Sequence, residues 1–244
     1  MVKKIAYTLL ILIFIQILNQ FLILSSAALE RTLPASFQCS RTVVGIYQQI
    51  VQALTGIVLY RWLFKKGIKD LGINTRNKKL SIKLFLFFAL LWSAIIVLYL
   101  SGTYFFFPNI WLAMTSIELP QTNTIIATLL FQSFFPGMGE EILFRGLIIN
   151  LLAIQVFTTF RHNKVSKFGI IALSSIYFAI AHIYFTLMPF RITHIDYLQI
   201  VMALGCGAFY AVFYLKTDSL LAPFLAHNFS NTTATICGYL ISRL

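Results

Sequence analysis

The chain has 244 residues, of which 59% are hydrophobic and only 11% charged, a balance that excludes an ordinary soluble domain. Its net charge of +12 would suit nucleic acid, but the basic residues fall where membrane orientation places them, so no nucleic-acid partner is implied. Cys39, Cys206 and Cys237 are too few and too scattered for a disulfide framework or a Cys-based zinc site.

The apolar runs predict an all-α polytopic membrane protein of about seven transmembrane helices, since a span needs about 20 residues and barrel-like alternation is absent. The first helix is expected from about Ile5 to Leu24. Lys3 and Lys4 resemble signal-peptide flanks, yet the apolar run exceeds a normal signal core and reads as an uncleaved helix. The second, about Val43 to Phe64, carries Tyr47, Gln48, Gln49 and Gln52 and is expected to face other helices rather than lipid. A basic loop from Lys65 to Lys83 leads to a third helix that ends near Phe107-Pro108. Ile110 to Asn123 reads as external or re-entrant, with Trp111 at the interface.

The fourth helix starts near Thr124, is interrupted at Pro136-Gly137-Met138-Gly139, and resumes to about Phe157. Helices at about Phe168–Met188, Tyr197–Leu215 and Ser219–Ile241 complete the chain. In this order Lys3 and Lys4, the Arg61–Lys83 segment, Arg161, Lys164, Lys167 and Lys216 all lie on one side. The positive-inside rule makes that side cytoplasmic, with the N-terminus there and the C-terminus external. Residues 1–119 are read as an N-terminal unit of three helices, and 120–244 as the unit carrying the chemistry, both within a single integral membrane body.

Glu140, Glu141 and Arg145 are the only full charges inside a predicted span away from its ends. Each costs about 2.5–3.5 kcal/mol at a bilayer centre, so the default reading of the trio is a functional site. Residues four apart share a helix face, whereas neighbours point about 100° apart. Arg145 therefore pairs with Glu141 and leaves Glu140 for chemistry, where a carboxylate in a low-dielectric site suits a general base.

His182 and the pair His227 and Asn231, four residues apart, add polar groups to two later helices. Counting about 1.5 Å per residue places them roughly 20, 12 and 18 Å deep, so they can meet within the membrane. Peptide hydrolysis needs a base for water and donors for the oxyanion. Glu140 could take the proton, His182 position the water, and His227 with Asn231 stabilise the oxyanion. Phe178 reads as packing, His162 and His194 as solvated loop residues, and Gly205 and Gly207 as close-packing positions.

Glu-Glu-x-x-x-Arg at 140–145, Phe-x-x-x-His at 178–182 and His-x-x-x-Asn at 227–231 resemble the three polar motifs of the CPBP family of intramembrane proteases. That family includes the type II CAAX prenyl endopeptidases and bacterial bacteriocin-processing and self-immunity proteins. Lys216-Thr217-Asp218-Ser219-Leu220 with Pro223 resembles its lead-in to the last motif, and the likeness covers about residues 120–241. The resemblance implies Glu140, His182, His227 and Asn231 as catalytic residues, with Glu141 and Arg145 supporting. It implies a substrate that is a membrane peptide or lipidated protein; no cofactor is expected, with zinc as the alternative. Short loops without a soluble domain look more like a prokaryotic cell-membrane member.

Three other readings compete. A zinc-dependent protease would ligate the metal through His182, His227 and Glu140, although no His-Glu-x-x-His pattern is present. A non-catalytic immunity or regulatory protein would bind peptide without cutting it. A transporter would use Glu140 and His182 as a proton relay, against which stands the absence of inverted repeats.

Overall fold

The first two apolar segments fold into helices that outrun the predicted spans, because once a helix is nucleated each added residue gains a hydrogen bond. The computed structural model describes residues 2–34, 37, 39–157, 163–187 and 190–244, and within them the chain is mostly helical. Arg161 and His162 lie outside the described residues. Helix α1 (Val2–Thr32) and α2 (Ser40–Phe64) form an antiparallel pair, and α3 (Ile68–Leu71) lies in the basic loop. Helix α4 spans Lys78–Phe106 and α5 spans Pro108–Thr115, a short helix where an external or re-entrant stretch was expected. Pro108 sits at its first turn, where a missing N–H costs nothing.

The expected fourth helix is one continuous element that changes its winding. Helix α6 (Thr122–Glu141) contains Pro136, and Ile142–Ile148 follows as π-helix. One α-turn, α7 (Ile149–Leu151), leads to a second π-segment, Leu152–Val156. The interruption expected at Pro136–Gly139 is not seen: the α-helix runs through it, and the winding widens only from Ile142. Pro136 disturbs the local ladder, and Asn228 Oδ1 from the last helix accepts the Gly137 N–H at 2.8 Å. Ile142 through Ile149 are buried all round, so this segment is the centre of the bundle.

Helix α8 (Lys164–Ile180) starts at an Asn163 cap that accepts the Val165 N–H at 2.8 Å. It stops eight residues before the predicted Met188, and a two-stranded antiparallel hairpin follows: β1 (Tyr184–Leu187) and β2 (Phe190–His194). Tyr-Phe-Thr and Arg-Ile-Thr are strand-forming triplets, which explains why the apolar run does not stay helical. Helices α9 (Tyr197–Thr217) and α10 (Leu221–Ile241) complete the fold.

Among the described residues α1, α2, α4 and α9 are long and apolar enough to cross a membrane. Helix α8 has only 17 residues, and α6 and α10 carry the glycines and amides of the polar centre. The basic loop is sewn to the α9–α10 turn. Gly72, at φ +112°, ends α3 in a conformation that a side chain would strain, and its carbonyl accepts the Leu220 N–H at 2.8 Å. Asn74 and Asn77 donate to the carbonyls of Asp218 and Thr217. On the other flank, Phe88 of α4 packs against the rings of Trp92, Phe209, Tyr210 and Phe213.

Candidate active site

Adjacent positions on α6 send the two glutamates into different surroundings. Glu141 is fully buried, with Oε2 3.1 Å from Arg145 Nε and Oε1 2.8 Å from His227 Nδ1. Arg145 is equally buried. It donates to the Gly207 carbonyl at 3.2 Å and lies 4.5 Å from the Phe178 ring centre and 5.3 Å from that of Tyr210. Gly205 and Gly207 differ here: Gly207 offers its carbonyl to the arginine, whereas a Cβ added at Gly205 would meet no neighbouring atom within 4 Å. A buried ion pair of this kind is tolerated only when hydrogen bonds and rings replace the lost water.

Glu140 keeps partial exposure to the cavity. Its Oε1 accepts from Gln49 Nε2 at 3.0 Å, and its Oε2 stands 3.9 Å from His227 Nε2. Gln49 reaches it because α2 and α6 touch at Gly139: any Cβ there would run into the Gln49 backbone and amide. Gln49 was legible only as one of several amides in a polar helix; that it meets Glu140 depends on the packing of two distant segments.

His227 is held between these acids. Its ring stacks on Tyr210 at 5.3 Å and 18°, and Tyr210 donates to Ser230 Oγ, which in turn donates to the His227 carbonyl. With Glu141 accepting at Nδ1, that nitrogen carries a proton and Nε2 is turned toward Glu140. One turn on, Asn231 donates to Gln132 Oε1 at 3.2 Å. The neighbouring Asn228 does not face the cavity; it completes the backbone of α6.

His182 lies two residues past the end of α8, not within a helix as expected. Its backbone N–H still bonds the Ala179 carbonyl at 3.0 Å, so the turn holds it firmly. The Phe178 carbonyl accepts from Nδ1 at 2.7 Å; a carbonyl cannot donate, so Nδ1 holds the proton and Nε2 is left as an acceptor. Phe178 therefore does more than pack: its carbonyl fixes the His182 tautomer, and its ring touches Phe144, His182, His227 and Arg145.

Glu140, His182, His227 and Asn231 all line one cavity of about 380 Å3, with Trp92, Tyr184 and Tyr210 among its other walls. Glu141 and Arg145 do not line it. His194 is set in the hairpin, exposed, with its ring centre 6.1 Å from that of Tyr184. The zinc set His182, His227 and Glu140 shares this cavity. Among the described residues, however, no three His, Cys, Asp or Glu side chains form a group able to hold a metal ion.

A helical bundle with a polar, carboxylate-bearing cavity walled by apolar helices defines a membrane protein with a candidate functional site inside the bundle. Residues 122–233 match the family model described as type II CAAX prenyl endopeptidase Rce1-like. The matched stretch contains all three polar motifs. The protein is accordingly a multi-pass membrane protein, and the matched stretch is similar to a family of membrane endopeptidases. Searches of curated proteins and of solved structures returned no match.

Proposed function

We propose that the protein is an intramembrane endopeptidase that uses a glutamate-activated water to cut a membrane-associated peptide or a lipidated protein. The observation that carries this reading is the convergence of Glu140, His182, His227 and Asn231, from three separate segments, on one cavity. Glu140 accepts a proton from water while His182 Nε2 accepts the other water hydrogen and fixes its oxygen. The oxygen attacks the peptide carbonyl carbon, forming a tetrahedral oxyanion. Asn231 Nδ2–H and the doubly protonated His227, with Glu141 as its counter-ion, donate to that oxyanion. Collapse breaks the C–N bond, and Glu140 returns its proton to the departing amine.

The family description names a prenyl endopeptidase, so a prenylated substrate is one candidate; small propeptides and bacteriocin leaders are others. The reading takes seven membrane-crossing helices, with the N-terminus cytoplasmic beside the basic loops and the C-terminus outside. Residues 1–119 then act as a scaffold whose α2 supplies Gln49 to the site.

Membrane peptides from cells carrying wild-type or Glu140→Ala protein, compared by mass spectrometry, test this. A peptide cut only by the wild type supports proteolysis and gives the cleavage site. Identical peptides, with the variant folded and cellular function intact, would point to a peptide-binding protein that does not cut. Hydrolysis is expected to survive strict chelation without stoichiometric zinc; loss on chelation with recovery on adding zinc would favour the metal set His182, His227 and Glu140.

A further inference from the structure

A peptide that enters from lipid fills the front cavity with apolar groups, so the water that cleaves it needs another route. Behind Glu140 lies a second cavity, of about 120 Å3, walled by Asn19 and Gln20 of α1, Gln48, Gln49 and Gln52 of α2, and the segment Ala181–Tyr184. Gln48, Gln49, Glu140, His182 and Tyr184 line both spaces, so the base and its histidine form the partition between them.

The back wall is built from amides, not charges. Asn19 Nδ2 donates to the Ala181 carbonyl at 3.1 Å and Gln20 Nε2 to the Phe185 carbonyl at 3.0 Å, so α1 is clipped to the His182 turn by donors. Gln48 Nε2 donates to Ser26 Oγ at 2.9 Å. The side-chain oxygen of Gln52 is buried without a protein partner among the described residues. Amides in membrane helices commonly serve as glue between helices. Glue, however, spends acceptors as well as donors, and an orphaned buried carbonyl oxygen costs about 1–3 kcal/mol unless something donates to it. Water meets that need: about 30 Å3 per molecule in the liquid lets the cavity hold several, each with polar partners.

Resting on the proteolytic reading above, the geometry points to this amide-lined cavity as a water store that supplies Glu140 and His182 from the face opposite the substrate. Amides can donate to and accept from water without changing the charge balance around Glu140. Gln49 is the hinge of the arrangement, since its Nε2 holds Glu140 while its side chain borders both spaces.

The test is thiol accessibility to silver ion, a water-borne probe close to water in size, in proteoliposomes of protein whose Cys39, Cys206 and Cys237 have been replaced. Gln52→Cys and Gln20→Cys are expected to react at least tenfold faster than Leu54→Cys and Val58→Cys, whose side chains face outward from α2. Equal, slow reaction at all four positions would overturn the proposal. In a second arm, propyl methanethiosulfonate caps the Gln52→Cys thiol, and cleavage is followed on the peptide found in the mass-spectrometric comparison. Capping is expected to lower cleavage at least tenfold, with recovery when a reductant removes the cap; full cleavage after complete capping would overturn the supply role. If the chain cleaves nothing, the proteolytic reading fails, while the silver contrast still decides whether the cavity is wet.

Discussion

Glu140 and Glu141 are chain neighbours in opposite environments. Glu141 is fully buried against an arginine and a histidine, and that arginine is itself closed in by aromatic rings and a backbone carbonyl. Around Glu140 there is one amide, a histidine nitrogen beyond hydrogen-bond reach at 3.9 Å, and open space on two sides. The difference teaches that one helical step of about 100° divides a costly pair of acids into a buried clamp and a carboxylate open to the cavity. The clamp also reaches into the chemistry, because Glu141 sets which nitrogen of His227 meets the cavity.

The largest expected effect lies on the open side. Glu140→Gln keeps the Gln49 contact within reach but removes the base, and is expected to lower the cleavage rate about 10²–10⁴-fold with little change in melting temperature. A fully active Glu140→Gln enzyme would erase the distinction between the two acids. On the closed side, Arg145→Ala leaves Glu141 buried and unpaired and is expected to cost about 3–5 kcal/mol, read as a lower unfolding midpoint in mild detergent. A change below about 1 kcal/mol would mean that the clamp does not hold the helices.

Asn231→Ala removes one oxyanion donor and is expected to lower kcat about 10²-fold while KM stays nearly constant. A rise in KM with kcat unchanged would assign Asn231 to substrate binding instead. Asn228→Ala has the smallest effect: it orphans the Gly137 N–H and is expected to cost about 1–3 kcal/mol, measured by thermal unfolding. The side chain does not line the cavity, so kcat of the folded fraction should hold.

Local spacing made some of this legible. The four-residue step from Glu141 to Arg145 and from His227 to Asn231 is a property of one helix, so sequence alone places each pair on a face. Long-range partners were not legible in the same way. Gln49 meets Glu140 across 91 positions, and His227 meets Glu141 across 86, because α2, α6 and α10 pack at small residues such as Gly137 and Gly139. The apolar run after Ile180 misled for a different reason. Hydrophobicity marks burial and not conformation, and strand-forming residues there turn the chain into a hairpin that leaves His182 in a turn.

The central claim is that the two acids have separate roles, and Glu140→Gln and Glu141→Gln measured side by side in liposomes test it most directly. For each variant, cleavage of the wild-type substrate peptide and the unfolding midpoint are recorded together. The account predicts that Glu140→Gln unfolds like wild type and cuts about 10²–10⁴-fold more slowly, while Glu141→Gln unfolds earlier and loses less of its rate in its folded fraction. A stable, inactive Glu141→Gln beside an active Glu140→Gln would contradict it.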